Sequence, residues 1–322
     1  GAETVSYFRW RQAPFAQEQM HEALLLPNAA PNDAYHDVAR ISEELAMLDA
    51  RVETARAEVA LVFDYESAWA WRIEPQGRDF SYFDLVMGFY RALRRAGLSV
   101  DVVPPTAAAI ADRTLILVPA LFAPSHDFAE ALAQSGATIL LGPRAGSKTA
   151  DFQIPADLPP GVLRRIIDIR VRRVESLRPG ARITLSGHGA FLRWREFLAL
   201  GESVAPEFTS EDGETALARS ENVFYLAGWP DEELLNNMLR HVAHVAGIST
   251  LDLTEDIRVR DNGAMRYIFN YGAASTDISA LVGEETLLIG ERLLEPCGVA
   301  VFRRRDCFQR AAQNTSQDAT TK

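Results

Sequence analysis

Short apolar segments alternate with amphipathic helical segments through the middle of the chain, from Glu58 onward. Helices are predicted between and after the strands, and the last of them is predicted to begin with Pro230 at its first position. Strands and helices that alternate in this way are typical of a parallel sheet with helices on both faces, and therefore of an α/β fold. The predicted strands lie at residues 59–63, 99–103, 114–118, 137–141 and 222–227, and the predicted helices at residues 82–96, 127–134 and 230–246.

The two ends of the chain have different patterns. At the beginning, residues 4–10 predict a strand, Pro14 predicts a change to helix, and residues 32–51 predict an amphipathic helix capped by Asn32 or Asp33. Beyond Ile248, short apolar segments separated by Asn-Gly and single glycines predict a small antiparallel β domain. The predicted domains are residues 1–55, 56–249 and 250–310, followed by a disordered tail at 311–322.

The charge balance and the cysteine content narrow the class of protein. The 33 Lys and Arg residues against 44 Asp and Glu residues give a net charge of -11, which repels nucleic acid and anionic lipid surfaces. Cys297 and Cys307 are too few for a disulfide framework or a four-thiolate metal site. We therefore expect a cytoplasmic protein with no metal, no cofactor and neither nucleic acid nor membrane as a partner. Because the chain begins with Gly1 instead of Met, we also expect a preceding segment.

Glu18-Gln19-Met20-His21 places a carboxylate and an imidazole three residues apart. On a helical turn this spacing brings both side chains to one face, where they can hydrogen-bond the hydroxyls of a sugar. Isolated pairs of this kind are also common on protein surfaces, so the spacing alone leaves a surface or packing role open. A di-iron site is excluded because the sequence has no second Glu-x-x-His pair.

Two other motifs match ligand sites less well. His241 and His244 are three residues apart, but a catalytic zinc ion needs a third ligand that the sequence does not offer, so both are interpreted as packing residues. Residues 142–149 resemble a phosphate loop, yet Ser147 stands where that motif requires glycine, and Pro155 follows without a clear helix. Nucleotide binding is therefore not expected. A functional basic loop at the carboxyl edge of the sheet stays open as an alternative.

The turn after the predicted strand 114–118 reads Pro119-Ala120-Leu121. An α/β domain of the amidotransferase type carries its nucleophilic cysteine on a sharp turn of this kind. Since the turn has neither cysteine nor serine, we expect no nucleophilic catalysis at this position.

Residues 7–21, Tyr-Phe-Arg-Trp-Arg-Gln-Ala-Pro-Phe-Ala-Gln-Glu-Gln-Met-His, resemble the last strand and following loop of the catalytic barrel in the β-galactosidases of glycoside hydrolase family 42. Residues 62–69, 142–149 and 224–226 are similar to segments of the second domain of that family. The resemblance implies a barrel remnant at 1–55, a flavodoxin-like, class I amidotransferase-like trimerisation domain at 56–249 and a small β domain at 250–310. It extends to about Arg303.

The resemblance also implies an activity and a division of roles. The family hydrolyses terminal, non-reducing β-D-galactosyl bonds with retention, using two glutamates about 5 Å apart. The resemblance places both glutamates on earlier barrel strands, before Gly1, so this chain alone is expected to be inactive and to contain no catalytic residue. Glu18 and His21 correspond to hydroxyl binders and Phe8 to part of an apolar wall, with Trp10 as a further candidate. Galactosides and further copies of the chain in a homotrimer are the implied partners.

A second interpretation remains open. The chain can instead be a free-standing oligomerisation or binding module with an amidotransferase-like fold and no catalytic role. A coding region for six or seven barrel strands directly upstream would favour the galactosidase interpretation.

Overall fold

The protein is described by a computed structural model that covers residues 4–48 and 54–304. The chain divides into two compact units, each described here by itself. The larger unit comprises residues 56–260, and the smaller unit comprises residues 1–55 together with residues 261–322. The domain limits given above remain predictions, and the tail at 311–322 lies outside the described residues.

Six α-helices and seventeen strands occur in the described residues. The helices are α1 (Asp33–Ala46), α2 (Tyr65–Ile73), α3 (Tyr82–Arg95), α4 (Ala107–Ile110), α5 (His126–Gln134) and α6 (Glu232–Val245). The first strands are β1 (Val59–Val62), β2 (Val100–Val103), β3 (Leu115–Val118), β4 (Thr138–Leu141), β5 (Ile169–Ser176), β6 (Ile183–Leu185), β7 (Gly189–Leu200), β8 (Ala205–Thr209), β9 (Thr215–Ser220), β10 (Val223–Leu226) and β11 (Gly228–Pro230). The remaining strands are β12 (Ile257–Asn262), β13 (Met265–Asn270), β14 (Thr276–Asp277), β15 (Thr286–Ile289), β16 (Leu293–Leu294) and β17 (Val299–Arg303).

The larger unit is built on a seven-stranded sheet with the order β2-β1-β3-β4-β10-β9-β8. The first five strands in this order are parallel, and β9 and β8 are antiparallel additions at one edge. The parallel part has the strand order of flavodoxin-like sheets. The predicted α/β fold class is therefore confirmed.

Every residue of β1, β3, β4 and β10 is buried, because both faces of the parallel sheet are covered. Successive side chains of a strand point to opposite faces. In β3, Leu115 and Leu117 pack with Phe89 of α3 on one face, while Ile116 packs with Phe128 of α5 on the other. The continuous apolar runs in the sequence thus correspond to strands that are buried on both sides.

A second, antiparallel sheet in this unit has the order β11-β7-β5, with β6 also paired to β7. The sequence pattern does not predict β7, because arginines and a glutamate interrupt its apolar residues. It also does not predict α2, whose two faces both carry aromatic residues. Trp71 is buried and Trp69 is exposed, so no single apolar stripe marks this helix.

The start of α6 differs from the prediction. Pro230 ends β11 instead of occupying the first helical position, and Asp231 is the N-cap residue. Asp231 Oδ1 accepts a hydrogen bond from the backbone N–H of Leu234 at 2.8 Å. The Asp231 carboxylate thus satisfies a free N–H of the first turn, which is the role of an N-cap residue.

The smaller unit contains α1, the antiparallel strands β13, β17 and β15, which pair in that order, and the end of β12 at residues 261 and 262. The four predicted β segments of the C-terminal region are all strands in the structure. Gly263, with a φ of 59°, forms the tight turn between β12 and β13. Helix α1 begins as predicted, with Asn32 Oδ1 accepting from the N–H of Asp33 at 2.9 Å. It ends at Ala46, and the predicted extension to residue 51 reaches residues outside the described part.

The predicted strand at residues 4–10 is wrong. These residues are irregular, and the aromatic side chains of Phe8 and Trp10 are 68% and 63% exposed. A strand requires a neighbouring strand to satisfy its backbone groups. Here the carbonyls of Arg9 and Trp10 accept from Leu24 and Leu25, and an isolated bridge between Arg11 and Leu25 follows, but no ladder of a strand forms over residues 4–10. The helix predicted after Pro14 is likewise reduced to one 3₁₀ turn at Gln17–Met20.

Asp101 on the edge strand β2 partners a buried arginine. Arg113 Nη1 donates to Asp101 Oδ2 at 2.6 Å, and the backbone N–H of Ala57 donates to the same oxygen at 3.0 Å. Burial by itself raises the pKa of the Asp101 carboxyl, but these hydrogen bonds and the charge of Arg113 outweigh it and hold the pKa below its ordinary value.

Replacing Asp101 with asparagine is expected to lower the free energy of unfolding at neutral pH by about 2 to 3 kcal/mol, because Arg113 loses its counter-charge. Because the pKa is lower in the folded state, this contribution is complete above about pH 4 and is lost as the pH falls through the folded-state pKa. Urea unfolding of both proteins across this pH range measures it, with exposed Asp112→Asn as the control. A difference that is constant with pH contradicts the role of the Asp101 charge.

Candidate functional site

The N-terminal segment forms a loop whose ends are joined by backbone hydrogen bonds. Leu24 N donates to Arg9 O at 3.2 Å, Leu25 N to Trp10 O at 2.9 Å, and Gln12 N to Leu25 O at 2.9 Å. The side chain of Gln12 also donates from Nε2 to Gln19 O at 2.9 Å. These bonds return the chain after Glu18 to the neighbourhood of residues 8–10.

Three of the four predicted sugar-binding residues lie in one cluster, together with Arg9. Arg9 Nη1 donates to Glu18 Oε2 at 2.9 Å. The rings of Phe8 and His21 meet edge to face, with 6.4 Å between their centroids. Trp10, the fourth, lies apart from these contacts and packs against Tyr35 of α1 with a centroid distance of 6.4 Å.

A surface concavity of about 510 Å³ lies beside this cluster and is lined by Arg9 and residues 11–18. Glu18 is its acidic wall and Arg9 its basic wall. A carboxylate accepts and a guanidinium donates hydrogen bonds, so the pair can bind the hydroxyl groups of a polar ligand. Because both side chains are partly exposed, their mutual attraction is weak enough for a ligand hydroxyl to compete.

Arg9 is the functional candidate that the sequence pattern misses. In a strand at residues 4–10, Arg9 would point away from Phe8, because neighbouring side chains alternate between faces. In the irregular segment the guanidinium carbon instead lies 5.7 Å from the centroid of the Phe8 ring. A possible signal was the single arginine between two aromatic residues, Phe8 and Trp10.

The carboxyl edge of the parallel sheet, where α/β domains usually bind ligands, is covered by helix α2. Trp71 of α2 packs against Phe122, which follows β3, with 5.3 Å between ring centroids. Ser67 Oγ accepts a hydrogen bond from the N–H of Phe122 at 3.1 Å. The turn in which an amidotransferase carries its nucleophile is therefore filled by packing contacts.

The loop at residues 142–149 has no backbone N–H left for a phosphate. Every residue of this fully described loop that has a backbone N–H donates it within the protein: Gly146 to Leu121 O, Lys148 to Phe122 O, and the others to nearby acceptors. A Cβ atom at Gly142 would lie 1.9 Å from Pro119 O, so the loop is pressed against the turn after β3. Its lysine, Lys148, pairs with Glu74 at 2.9 Å. The loop is thus a packing element at the sheet edge.

Beneath this loop lies a buried polar network around Glu196 of β7. Glu196 Oε1 accepts from the backbone N–H of Arg144 at 2.9 Å and from Trp194 Nε1 at 3.1 Å, and Glu196 Oε2 accepts from the hydroxyl of Tyr225 at 2.7 Å. Burial raises the pKa of Glu196 and the pKa of Tyr225, although hydrogen bonds to Glu196 act in the opposite direction on its carboxyl. The carboxylate is buried and its oxygens are used within the protein, so we assign it to the support of the loop above it.

Arg144 is the cation of this network. Its guanidinium carbon lies 4.3 Å from the centroid of the Phe122 ring, 5.1 Å from that of Trp71 and 5.2 Å from that of Trp194. Burial lowers the pKa of Arg144 to about 10, and the negative charge of Glu196 opposes this shift. Cation–π contacts therefore replace the water that the guanidinium loses on folding.

Within residues 4–48 and 54–304, no group of three His, Cys, Asp or Glu side chains is arranged to hold a metal ion. His241 Nε2 instead lies 2.7 Å from Glu207 Oε1, and His244 is in the last turn of α6. Cys297 is an exposed free cysteine, while Cys307 lies outside the described residues. In the same described part of the chain, none of the helices has the length and apolar character needed to cross a membrane.

The fold and the closed sheet edge define a class: a flavodoxin-like, amidotransferase-like domain whose nucleophile turn is occupied by packing residues. The particular family follows from comparison with known proteins. A family model described as the β-galactosidase trimerisation domain matches residues 57–249, and a model described as β-galactosidase matches residues 1–48. The chain belongs to the family 42 β-galactosidases, which confirms the resemblance.

The similarity to known proteins extends over almost all of the chain. A β-galactosidase of Thermus thermophilus is 45% identical over 307 residues, which are 94% of this chain and 46% of that protein. Among solved structures, the β-galactosidase of Marinomonas ef1 has 34% identity and a TM-score of 0.88, with 94% of this chain and 47% of that chain covered. The β-galactosidase of Halorubrum lacusprofundi has 30% identity and a TM-score of 0.85, covering 94% and 48%. The chain thus spans about half the length of these relatives.

Proposed function

We propose that this chain is the C-terminal portion of a retaining β-galactosidase that hydrolyses terminal, non-reducing β-D-galactosyl bonds. The supporting observation is that the chain matches its relatives over 94% of its own length but only 46% of theirs. The two catalytic glutamates belong to the half of the relatives that this chain does not cover. Its own part is to complete the sugar pocket and to associate with further copies.

The sugar-pocket role rests on the cluster of Phe8, Arg9, Glu18 and His21. Glu18 and His21 supply a carboxylate and an imidazole for sugar hydroxyls, and Phe8 supplies an apolar surface for the carbon face of the ring. Arg9 orients the Glu18 carboxylate through their 2.9 Å hydrogen bond. Trp10 supports the segment by packing on α1.

The self-association role rests on the match of residues 57–249 to a trimerisation domain. We propose a homotrimer located in the cytoplasm. The presence of only two cysteines in 322 residues agrees with a reducing compartment.

The chain by itself is expected to show no turnover of a chromogenic β-galactoside between about pH 5 and 8. A chimera in which the N-terminal half of the Thermus thermophilus relative precedes it is expected to hydrolyse the substrate. In that chimera, Glu18→Gln is expected to lower kcat/KM by about 10- to 100-fold, because a hydrogen bond to a charged group is lost. Steady-state kinetics measure each effect.

Glu22→Gln is the matched control, since Glu22 is an exposed carboxylate close in sequence to Glu18. Turnover by the 322-residue chain alone, abolished by Glu18→Gln, would mean that its own carboxylates perform the chemistry. An inactive but folded chimera would instead favour the free-standing binding module.

A further inference from the structure

We propose that the outer face of α2, together with the adjoining face of α3, is the surface through which copies of this chain bind one another. The surface consists of Tyr65, Trp69 and Ile73 on α2 and Phe83 and Met87 on α3, and is called the α2–α3 patch below. This inference rests on the proposed self-association and specifies where it occurs.

The patch is a continuous apolar surface. Its α2 residues are four positions apart, which places them in one row along the helix, and the two α3 residues have the same spacing. The ring of Phe63 connects the two rows, with centroids 4.9 Å from Tyr65 and 5.4 Å from Phe83. All five side chains are between 41% and 75% exposed. A contiguous exposed apolar surface of this kind marks an interaction site.

The inner face of α2 holds the patch in place. Asp64 Oδ2 caps the helix by accepting from the N–H of Ser67 at 2.8 Å, and the Ser67 hydroxyl accepts from the N–H of Phe122. Trp71 is buried in the aromatic cluster below. Because the helix is fixed from beneath, little conformational entropy remains to be lost when the patch is covered.

The covered sheet edge and the exposed patch are two consequences of one arrangement. Helix α2 lies over the carboxyl edge of the sheet, where other α/β domains bind a small molecule. The buried side of α2, with Trp71, fills that site. The opposite side, with Trp69, is exposed and forms part of the α2–α3 patch. The arrangement therefore replaces a ligand site with a protein-binding surface.

A second copy of the chain is the partner that fits this surface. The exposed parts of the five side chains amount to roughly 600 Å² per copy, against about 800 Å² per partner in a stable interface. Each copy carries a net charge of -11, and contact through this patch brings no like charges together, because none of the five residues is charged. All five lie within residues 57–249, the part matched by the trimerisation-domain model.

Two substitutions test the patch without disturbing α2. Tyr65→Glu adds a negative charge in the first turn and Ile73→Lys adds a positive charge in the last turn, and both charges suit the helix dipole. Sedimentation equilibrium of the 322-residue chain is expected to show at least a 100-fold weaker association for the double variant than for the natural sequence. The single variant Ile73→Leu keeps the apolar surface and is expected to associate as strongly as the natural sequence.

Val102→Lys is the matched control, because Val102 is 56% exposed and lies on the edge strand β2. Circular dichroism and thermal unfolding at low protein concentration verify that each variant is folded. If the natural chain associates and the folded double variant associates equally well, the patch is not the contact and this inference fails alone. If the natural chain is a monomer at high concentration, the proposed self-association fails as well.

Discussion

Replacing Glu196 with alanine is expected to lower the free energy of unfolding by about 3 to 5 kcal/mol. The carboxylate is 4% exposed and accepts hydrogen bonds from the backbone N–H of Arg144, the indole of Trp194 and the hydroxyl of Tyr225. Alanine would leave three buried donors without an acceptor and would remove the negative charge that faces the Arg144 guanidinium. Urea unfolding followed by far-UV circular dichroism measures the loss.

Glu196→Gln is the matched control. Glutamine keeps an oxygen for the donors of Arg144 and Trp194, and its amide can donate to the Tyr225 hydroxyl after that group rotates. We expect it to cost clearly less than alanine. Equal losses for the two variants would show that the negative charge of the carboxylate, which both substitutions remove, is what matters, and not the volume or the neutral hydrogen bonds of the side chain.

The pH dependence of the free energy of unfolding, compared between the natural protein and Glu196→Gln, provides an independent test. Because burial raises the pKa of Glu196 in the folded state, the folded protein holds this proton to higher pH than the unfolded chain does. The contribution of Glu196 to stability therefore falls as the pH rises from about 4.3, the unfolded value, through the folded-state pKa. Glutamine cannot titrate, so Glu196→Gln should gain stability relative to the natural protein over that interval. A relative loss there contradicts the direction of the pKa shift.

Replacing Trp71 with alanine is expected to destabilise the larger unit by about 3 to 5 kcal/mol. Its ring is 2% exposed and contacts the rings of Phe122 at 5.3 Å and Trp229 at 5.7 Å, while the Arg144 guanidinium stacks on it. Alanine would leave a large cavity beneath α2 and remove one of the three rings around a buried cation. Thermal and urea unfolding measure the change.

Trp69→Ala is the control, since it removes the same side chain two positions earlier on the same helix. Trp69 is 57% exposed, so its removal should change the stability of the monomer by less than about 1 kcal/mol. Unfolding at several protein concentrations separates this effect from the loss of association, which depends on concentration. Similar losses for both tryptophans at low concentration would mean that Trp71 is not the residue that anchors α2.

The parallel sheet could be predicted from the sequence because its strands are buried on both faces. A segment such as β3, Leu115–Val118, is apolar at every position and needs no further information to be recognised. The start of α6 was predicted less well, since Pro230 and Asp231 are both frequent at helix starts and only the hydrogen bond from Leu234 N decides between them.

The candidate sugar site was predicted in residue type but not in geometry. Phe8, Glu18 and His21 could be named from a resemblance, and all three lie in one cluster. Arg9 and the separate packing of Trp10 could not be foreseen, because the predicted strand alternation gave the wrong side-chain directions for this segment. Without a neighbouring strand, the local pattern of residues 4–10 does not fix their conformation.

The sequence by itself determined the five parallel strands of the larger unit and the family. Strands that are buried on both faces are apolar at every position, and the family is recognisable from long similar segments. Only the tertiary structure decided the roles of Glu196, Arg144 and the two tryptophans of α2. Trp69 and Trp71 are the same residue type on one short helix, but Trp69 is exposed and Trp71 is buried, because only the Trp71 side of the helix faces the sheet edge. That choice is made by contacts with distant segments after β3 and β4, which no local pattern contains.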